Sequence, residues 1–112
     1  MQHNVQKIYE DILQAINEIN DFCKDKTFAD FQKDRAMQLI IERELEIVGE
    51  ALTRLRKDYS EQAEKIEDIH KIIGLRNVLA HGYDTIDHEI LWDIIENKIP
   101  VLKENIQTKF CP

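Results

Sequence analysis

Apolar residues recur along this chain at steps of three and four, the spacing that lines one face of an α-helix. Val5, Ile8, Ile12, Ile16 and Ile19 form such a stripe, joined by Ala15 and Phe22, and predict a first helix running to about Cys23. Lys24-Asp25-Lys26-Thr27 breaks the period. Phe28-Ala29-Asp30-Phe31 then reads as a short turn of helix with Thr27 as its cap. A second long helix is expected from about Asp34, lined by Ala36, Leu39, Ile40, Ile47, Val48, Ala51, Leu52 and Leu55. Glu42-Arg43-Glu44 and Glu46 fall on its wet side, where charges three or four residues apart support one another.

Tyr59-Ser60-Glu61 interrupts that pattern, and Ser60 is suited to capping a third helix. Ile66, Ile69, Ile72, Ile73, Leu75 and Leu79 carry this helix to Ala80, and Gly82 is placed to end it. Asp84-Thr85-Ile86-Asp87 reads as a loop whose last residue caps a final helix from His88. Ile90, Leu91, Ile94, Ile95, Ile99, Leu102 and Ile106 line that helix. Pro100 should kink it, because proline brings no backbone donor and crowds the preceding turn. No stretch alternates as a strand does. The expectation is an all-α, up-down four-helix bundle with a short extra helix and a kinked last helix, one domain over residues 1–112. The stripes around Ile72, Leu75 and Leu79 look wider than one bundle requires, which suggests a homodimer.

Composition narrows the class. Hydrophobic residues at 43% and charged residues at 33% are a globular balance, and three Gly and two Pro leave long stretches free to be helical. The two cysteines do not read as a disulfide framework, since a domain of this size needs no staple. With no signal-peptide pattern and no run long enough to span a bilayer, the expected setting is soluble and cytoplasmic, away from membranes. The net charge of -7 argues against general nucleic-acid binding, and DNA is not an expected partner. Its distribution changes the picture. Residues 54–83 hold six Lys/Arg against five acids, while the rest of the chain holds nine against seventeen. Any RNA contact is therefore expected to be local, within an acidic body that suits a basic protein partner.

The candidate chemistry sits in that neutral stretch, at Arg76-Asn77-Val78-Leu79-Ala80-His81-Gly82-Tyr83. Arg76 and His81 are five residues apart, about 140° around an ideal helix, so a long Arg and a His at a helix end can converge on one ligand. Asn77 lies one turn before His81, placed to steer the imidazole or hold a substrate oxygen. Arginine is a permanent cation whose planar fork fits a phosphate, and histidine titrates near neutral pH. Together they can cleave a phosphodiester without metal, His moving a proton and Arg stabilising the added charge. A histidine near a helix end also serves simply to complement the helix dipole.

The stretch Ile73-Gly74-Leu75-Arg76-Asn77-Val78-Leu79-Ala80-His81-Gly82-Tyr83 resembles the signature of HEPN-domain proteins, and specifically of the HepT toxins. That motif is Arg, four residues, His, one residue, Tyr, met here at Arg76, His81 and Tyr83. Asp84-Thr85-Ile86-Asp87, Ile90-Leu91-Trp92 and Ile47-Val48-Gly49-Glu50-Ala51 are similar to the same family, so the resemblance spans nearly the whole chain. It implies a metal-independent endoribonuclease toxin, with no cofactor, in which a homodimer brings two Arg–His motifs to one cleft. It also implies a minimal nucleotidyltransferase antitoxin of the MntA type as partner, transferring AMP to Tyr83. The alternative is a non-catalytic helical adaptor, the substrate-binding subunit of a two-component nucleotidyltransferase.

The remaining residues suggest less. His81, Asp84, Asp87 and His88 crowd together but lack a standard ligand spacing, and Asp87 is accounted for as a cap. His3 and His70 have no evident partners, although His70 lies two turns before Asn77 and stands where it would edge the cleft. Trp92 reads as core or interface, and Cys23 as a small apolar residue.

Overall fold

The computed structural model describes the backbone of residues 2–81 and 87–109, and the side chains of residues 5–75 and 87–108. Every regular element among them is helical. In chain order these are α1 (Gln2–Cys23), α2 (Phe28–Lys33), α3 (Arg35–Asp58), α4 (Ser60–Ala63), α5 (Ile69–His81), α6 (His88–Asp93) and α7 (Ile99–Lys109). A π-helical turn, Ile94–Lys98, joins α6 to α7. Four long helical rods result: α1, α3, α5 and the α6–α7 unit. The expected bundle with a short extra helix, α2, is what the chain builds.

The long α3 is the centre of the fold, packing on α1 along one flank and on α5 along another. Ile8, Ile12, Ile16 and Ile19 from α1 meet Ile41, Leu45, Val48, Leu52 and Leu55 from α3 in a continuous buried core. Burying each such side chain is worth roughly 1.5–3 kcal/mol, so this seam outweighs any single polar contact in the molecule. Sharp corners depend on caps that the sequence announces. Thr27 Oγ1 accepts from the Asp30 backbone N–H at 3.2 Å, while the Asp30 carboxylate accepts from the Thr27 N–H at 2.9 Å. This reciprocal pair holds the Asp30 carboxyl below the usual carboxylate range. Asp34 Oδ1 accepts from Met37 N–H at 3.0 Å to start α3. Buried Gln38 donates to the carbonyls of Phe31 and Gln32, at 2.9 and 3.0 Å, and so closes the α2–α3 corner.

Two expectations about the third helix are corrected. The third predicted helix is not continuous from Ser60. Tyr59 occupies the cap position with no side-chain cap bond, α4 lasts one turn, and the chain turns before α5 begins at Ile69. Asp68 makes that turn in the left-handed region, at φ 56°, a conformation Asp tolerates better than most residues. The last helix stabilises it from afar: Asn105 Oδ1 accepts from the Glu67 N–H at 2.9 Å, and Lys98 pairs with Asp68 at 2.9 Å. That ion pair lowers the Asp68 carboxyl and raises the Lys98 ammonium. Secondly, Ile72 and Leu75 are not surplus, because both are buried within the one chain. Leu79 lies outside the described side chains. Among the described residues the exposed large apolar side chains are Phe22, Leu39 and Ile90 instead.

Pro100 acts through the ladder. It has no N–H to offer the preceding turn, and the helix accommodates this by widening: Ile99 N–H reaches Ile94 O, five residues back. Ile94, Ile95 and Ile99 stay buried through this change of register.

Glu44, assigned to the wet side of α3, instead faces Glu18 of α1 across a cleft of about 240 Å³ that Asp11, Gln14, Glu50 and Arg54 also line. Partial burial, a hydrogen bond with Glu18 and the Glu18 charge together push the Glu44 carboxyl up to about 7, opposed by Arg43. A carboxyl raised on folding favours the protonated folded state. Its contribution is therefore fully present below its ordinary value of 4.5 and is lost as pH rises through about 7. Wild-type protein should gain thermal stability as pH falls from about 8 to 6, and Glu44→Gln should flatten that gain while raising stability at pH 8. Melting curves across this range check it; identical pH dependence in the two proteins would remove the shared-proton pair.

Candidate functional site

The terminal two turns of α5 carry the predicted motif, and packing explains why α5 is well placed to present it. Ile69, Ile72, Ile73 and Leu75 are buried, so the start of the helix is anchored through its apolar side, chiefly against α3. Arg76, Asn77 and His81 follow on the same continuous helix, which ends at His81. Their side chains lie outside the described residues. Gly82, expected to end the helix, and Tyr83, expected to accept AMP, also lie outside them, as does Cys111.

Helix geometry still fixes which positions share a face. Positions 70, 74, 77 and 81 fall within about 60° of one another around α5 at 100° per residue. Gly74 and His70 are exposed members of that face, opposite the buried positions 69, 72 and 75. An alanine Cβ built at Gly74 would meet no atom within 4 Å. A glycine in a helix interior costs about 0.5–1 kcal/mol relative to alanine, and nothing among the described residues requires it here.

His70 has the partner that the sequence did not reveal. Arg56 Nη1 lies 3.2 Å from His70 Nδ1, and because a guanidinium only donates, Nδ1 is the acceptor. The pair joins the last turn of α3 to the first turn of α5. Fourteen residues separate the two in sequence, so no local pattern announces the contact.

On the other flank of α5 a groove of about 670 Å³ runs between α5 and the α6–α7 unit, lined by Lys71, Gly74, Leu75, Glu89, Ile90 and Asp93, among others. Asp87 starts α6 as expected, its Oδ1 accepting from Glu89 N–H at 2.9 Å and from Ile90 N–H at 3.4 Å. His88 sets its ring edge-on to Phe31 at 5.4 Å, so both described members of the suspected metal cluster have structural tasks. Among the described residues no group of three or more His, Cys, Asp or Glu side chains could hold a metal ion. Trp92 stacks at a tilt on Phe31, centroids 5.4 Å apart, and near Phe28, at 6.3 Å. It is a packing residue where α6 meets α2. Half-buried Cys23 has its thiol pushed up to about 11 by burial, with Glu96 adding to the shift, and is no nucleophile near neutral pH. Among the described residues no helix is long and apolar enough to cross a membrane.

Comparison with known proteins bears on the motif as a whole. The family model described as ribonuclease HepT-like matches residues 12–108, which takes in α3, α5 and the entire Arg76–Tyr83 stretch. The chain belongs to the ribonuclease HepT-like family. Among relatives, it is 37% identical over 97 residues to "Putative RNase MJ0127" of Methanocaldococcus jannaschii, covering 87% of this chain and 79% of that protein. It is 30% identical over 106 residues to "Putative RNase MJ1380" of the same organism, covering 95% and 96%. It is 32% identical over 103 residues to "Probable ribonuclease HepT" of Thermococcus cleftensis, covering 92% and 93%. No solved structure matches the chain. Membership in the HepT-like family thus rests on nearly the full length of the helical bundle, and not on the short motif alone.

Proposed function

We propose that this chain is a metal-independent endoribonuclease, the toxin of a toxin–antitoxin pair, working as a homodimer with Arg76 and His81 as its catalytic residues. The observation that carries this reading is the Arg76…His81…Tyr83 sequence pattern, whose first two members lie on α5, in a chain of the ribonuclease HepT-like family. Supporting it, the relatives bear ribonuclease names over the same span.

The chemistry follows from the residue types. One His81 takes the proton from a ribose 2′-hydroxyl, and the freed oxygen attacks the adjacent phosphorus. The bond to the 5′-oxygen breaks, and that oxygen leaves with a proton from a second His81. Arg76 stabilises the charge that builds on the phosphate oxygens, and Asn77 steers the imidazole. A single histidine cannot readily serve as base and acid in the same step. Two copies related by a two-fold axis divide the roles, which is why the dimer belongs to the mechanism. The products are a 2′,3′-cyclic phosphate, opening to a 3′-phosphate, and a 5′-hydroxyl.

Tyr83 supplies the control. A minimal nucleotidyltransferase partner would transfer AMP from ATP, the Tyr83 oxygen attacking the α-phosphorus and pyrophosphate leaving. The attached phosphate then competes with the scissile phosphate for Arg76 and repels incoming RNA.

His81→Ala should slow RNA cleavage by about 10²- to 10⁴-fold, and Arg76→Ala should be similarly damaging. Arg76→Lys should fail to rescue fully, because the bidentate fork is lost. Cleavage of total RNA by the purified protein in EDTA, with end-group analysis, is the measurement. Alanine variants that cut as fast as wild type would place the active site elsewhere, and no cleavage at all would favour the adaptor role.

Tyr83→Phe should keep its nuclease activity yet escape silencing by the cognate transferase and ATP. Intact-mass measurement decides this one: an AMP-sized increase that persists in Tyr83→Phe would put the modification on another residue.

A further inference from the structure

Arg56 and His70 form a charged, exposed pair that no part of the proposed reaction uses. Among the described residues Arg56 has no carboxylate within ion-pair distance; its contact is Nδ1 of His70. Cations at a helix C-terminus are common, and Arg56 stands in the last turn of α3 with Lys57. That alone would leave it a solvated surface residue. Its partner changes the reading. A guanidinium held by an imidazole lone pair keeps its full charge and its remaining N–H donors, while losing some of the rotamer freedom that weakens an exposed arginine as a ligand.

The pair also stands in line with the motif. His70 occupies the same face of α5 as positions 77 and 81, and position 81 lies about 16 Å farther along the axis. Between them on that face is Gly74, where an added Cβ would meet nothing and the helix backbone is bare. Glycine in a helix is disfavoured, and bare backbone is what a closely approaching ligand requires. The described surface from Arg56 through His70 to Gly74 is thus open, with a cation at its far end. In an acidic chain this track lies in a stretch, residues 54–83, where six Lys and Arg stand against five Asp and Glu. Gly74 also borders the groove toward α6, where Lys71 and Lys98 stand among Asp87, Glu89 and Asp93.

We propose that Arg56, oriented by His70, grips an RNA backbone phosphate outside the scissile position, so that a single strand lies along α5 over Gly74 toward His81. This rests on the ribonuclease reading above and extends it to how substrate is held. Arg56 is a positioning residue and takes no part in bond breaking.

The test compares wild type, Arg56→Ala, Arg56→Lys and His70→Ala on a single-stranded RNA long enough to span the track and on a dinucleotide too short to reach it. For the longer RNA, Arg56→Ala should raise KM about tenfold with kcat little altered, a size set by one lost charged phosphate contact. For the dinucleotide the gap between variant and wild type should close. Plotted as log affinity against log salt, binding of the longer RNA should lose about 0.7 from its slope in Arg56→Ala. Arg56→Lys should restore that slope while recovering only part of the KM, and His70→Ala should show a smaller KM effect at unchanged slope. Equal KM and salt slope in wild type and Arg56→Ala, with matching melting temperatures, would overturn the proposal. So would an equal loss on both substrates, which marks a structural fault. The binding arm uses RNA without requiring cleavage, so a protein that grips the longer strand through Arg56 but cuts nothing would sink the nuclease reading and leave this subsite standing.

Discussion

The start of α5 is buried against α3, and everything proposed for the far end of α5 depends on that anchorage. Ile69, Ile72, Ile73 and Leu75 are at most 8% exposed, so the helix cannot rotate about its axis without bringing apolar surface into water. Fixing that rotation fixes which positions face outward. The constraint begins one residue earlier, at Asp68, whose left-handed backbone ends the preceding turn and aims the chain along α3. Lys98 and Asn105, both from the last helical rod, hold this corner from the far side. The first turns of the functional helix are therefore tied to two other rods.

Much of this was legible in the sequence where the cause is local. The apolar stripes gave the rods, and Thr27, Asp34 and Asp87 marked helix starts because a capping side chain bonds to backbone only two or three residues away. The break before α5 was not legible, because Ile66, Ile69 and Ile72 continue the helical spacing straight across it. What interrupts the helix is Asp68 in a turn whose partners lie 30 and more residues downstream. The Glu18–Glu44 and Arg56–His70 contacts were hidden for the same reason: each joins residues from two helices, and one-dimensional spacing carries no information about which rods become neighbours. Pro100 was readable as a disturbance. That it would resolve as a π-turn followed from keeping Ile94, Ile95 and Ile99 buried on both sides of the missing donor.

The candidate site was legible as chemistry before it was legible as geometry. Residue types and spacing pointed to Arg76, Asn77 and His81, the resemblance to HepT toxins added Tyr83, and the family match spans the same positions. The helix adds a direction: one face runs from His70 over Gly74 to positions 77 and 81, with Arg56 at its start and, beside Gly74, a groove that carries Lys71 and Lys98 as well as Asp87, Glu89 and Asp93. For a protein of net charge -7 this asymmetry matters, since a polyanion can be admitted only where the local balance is reversed. The acidic remainder of the surface then limits how RNA can lie, which makes an otherwise unfavourable charge a source of orientation.

The central claim is that two copies of His81 act together in one cleft. It is tested most directly with heterodimers of one wild-type and one His81→Ala copy, purified through two different tags and assayed on RNA. If the two histidines divide the roles of base and acid, the heterodimer should fall toward the double variant, about 10²-fold or more below wild type. A heterodimer that keeps half of the wild-type rate would show that each copy cuts alone, and would contradict the shared site.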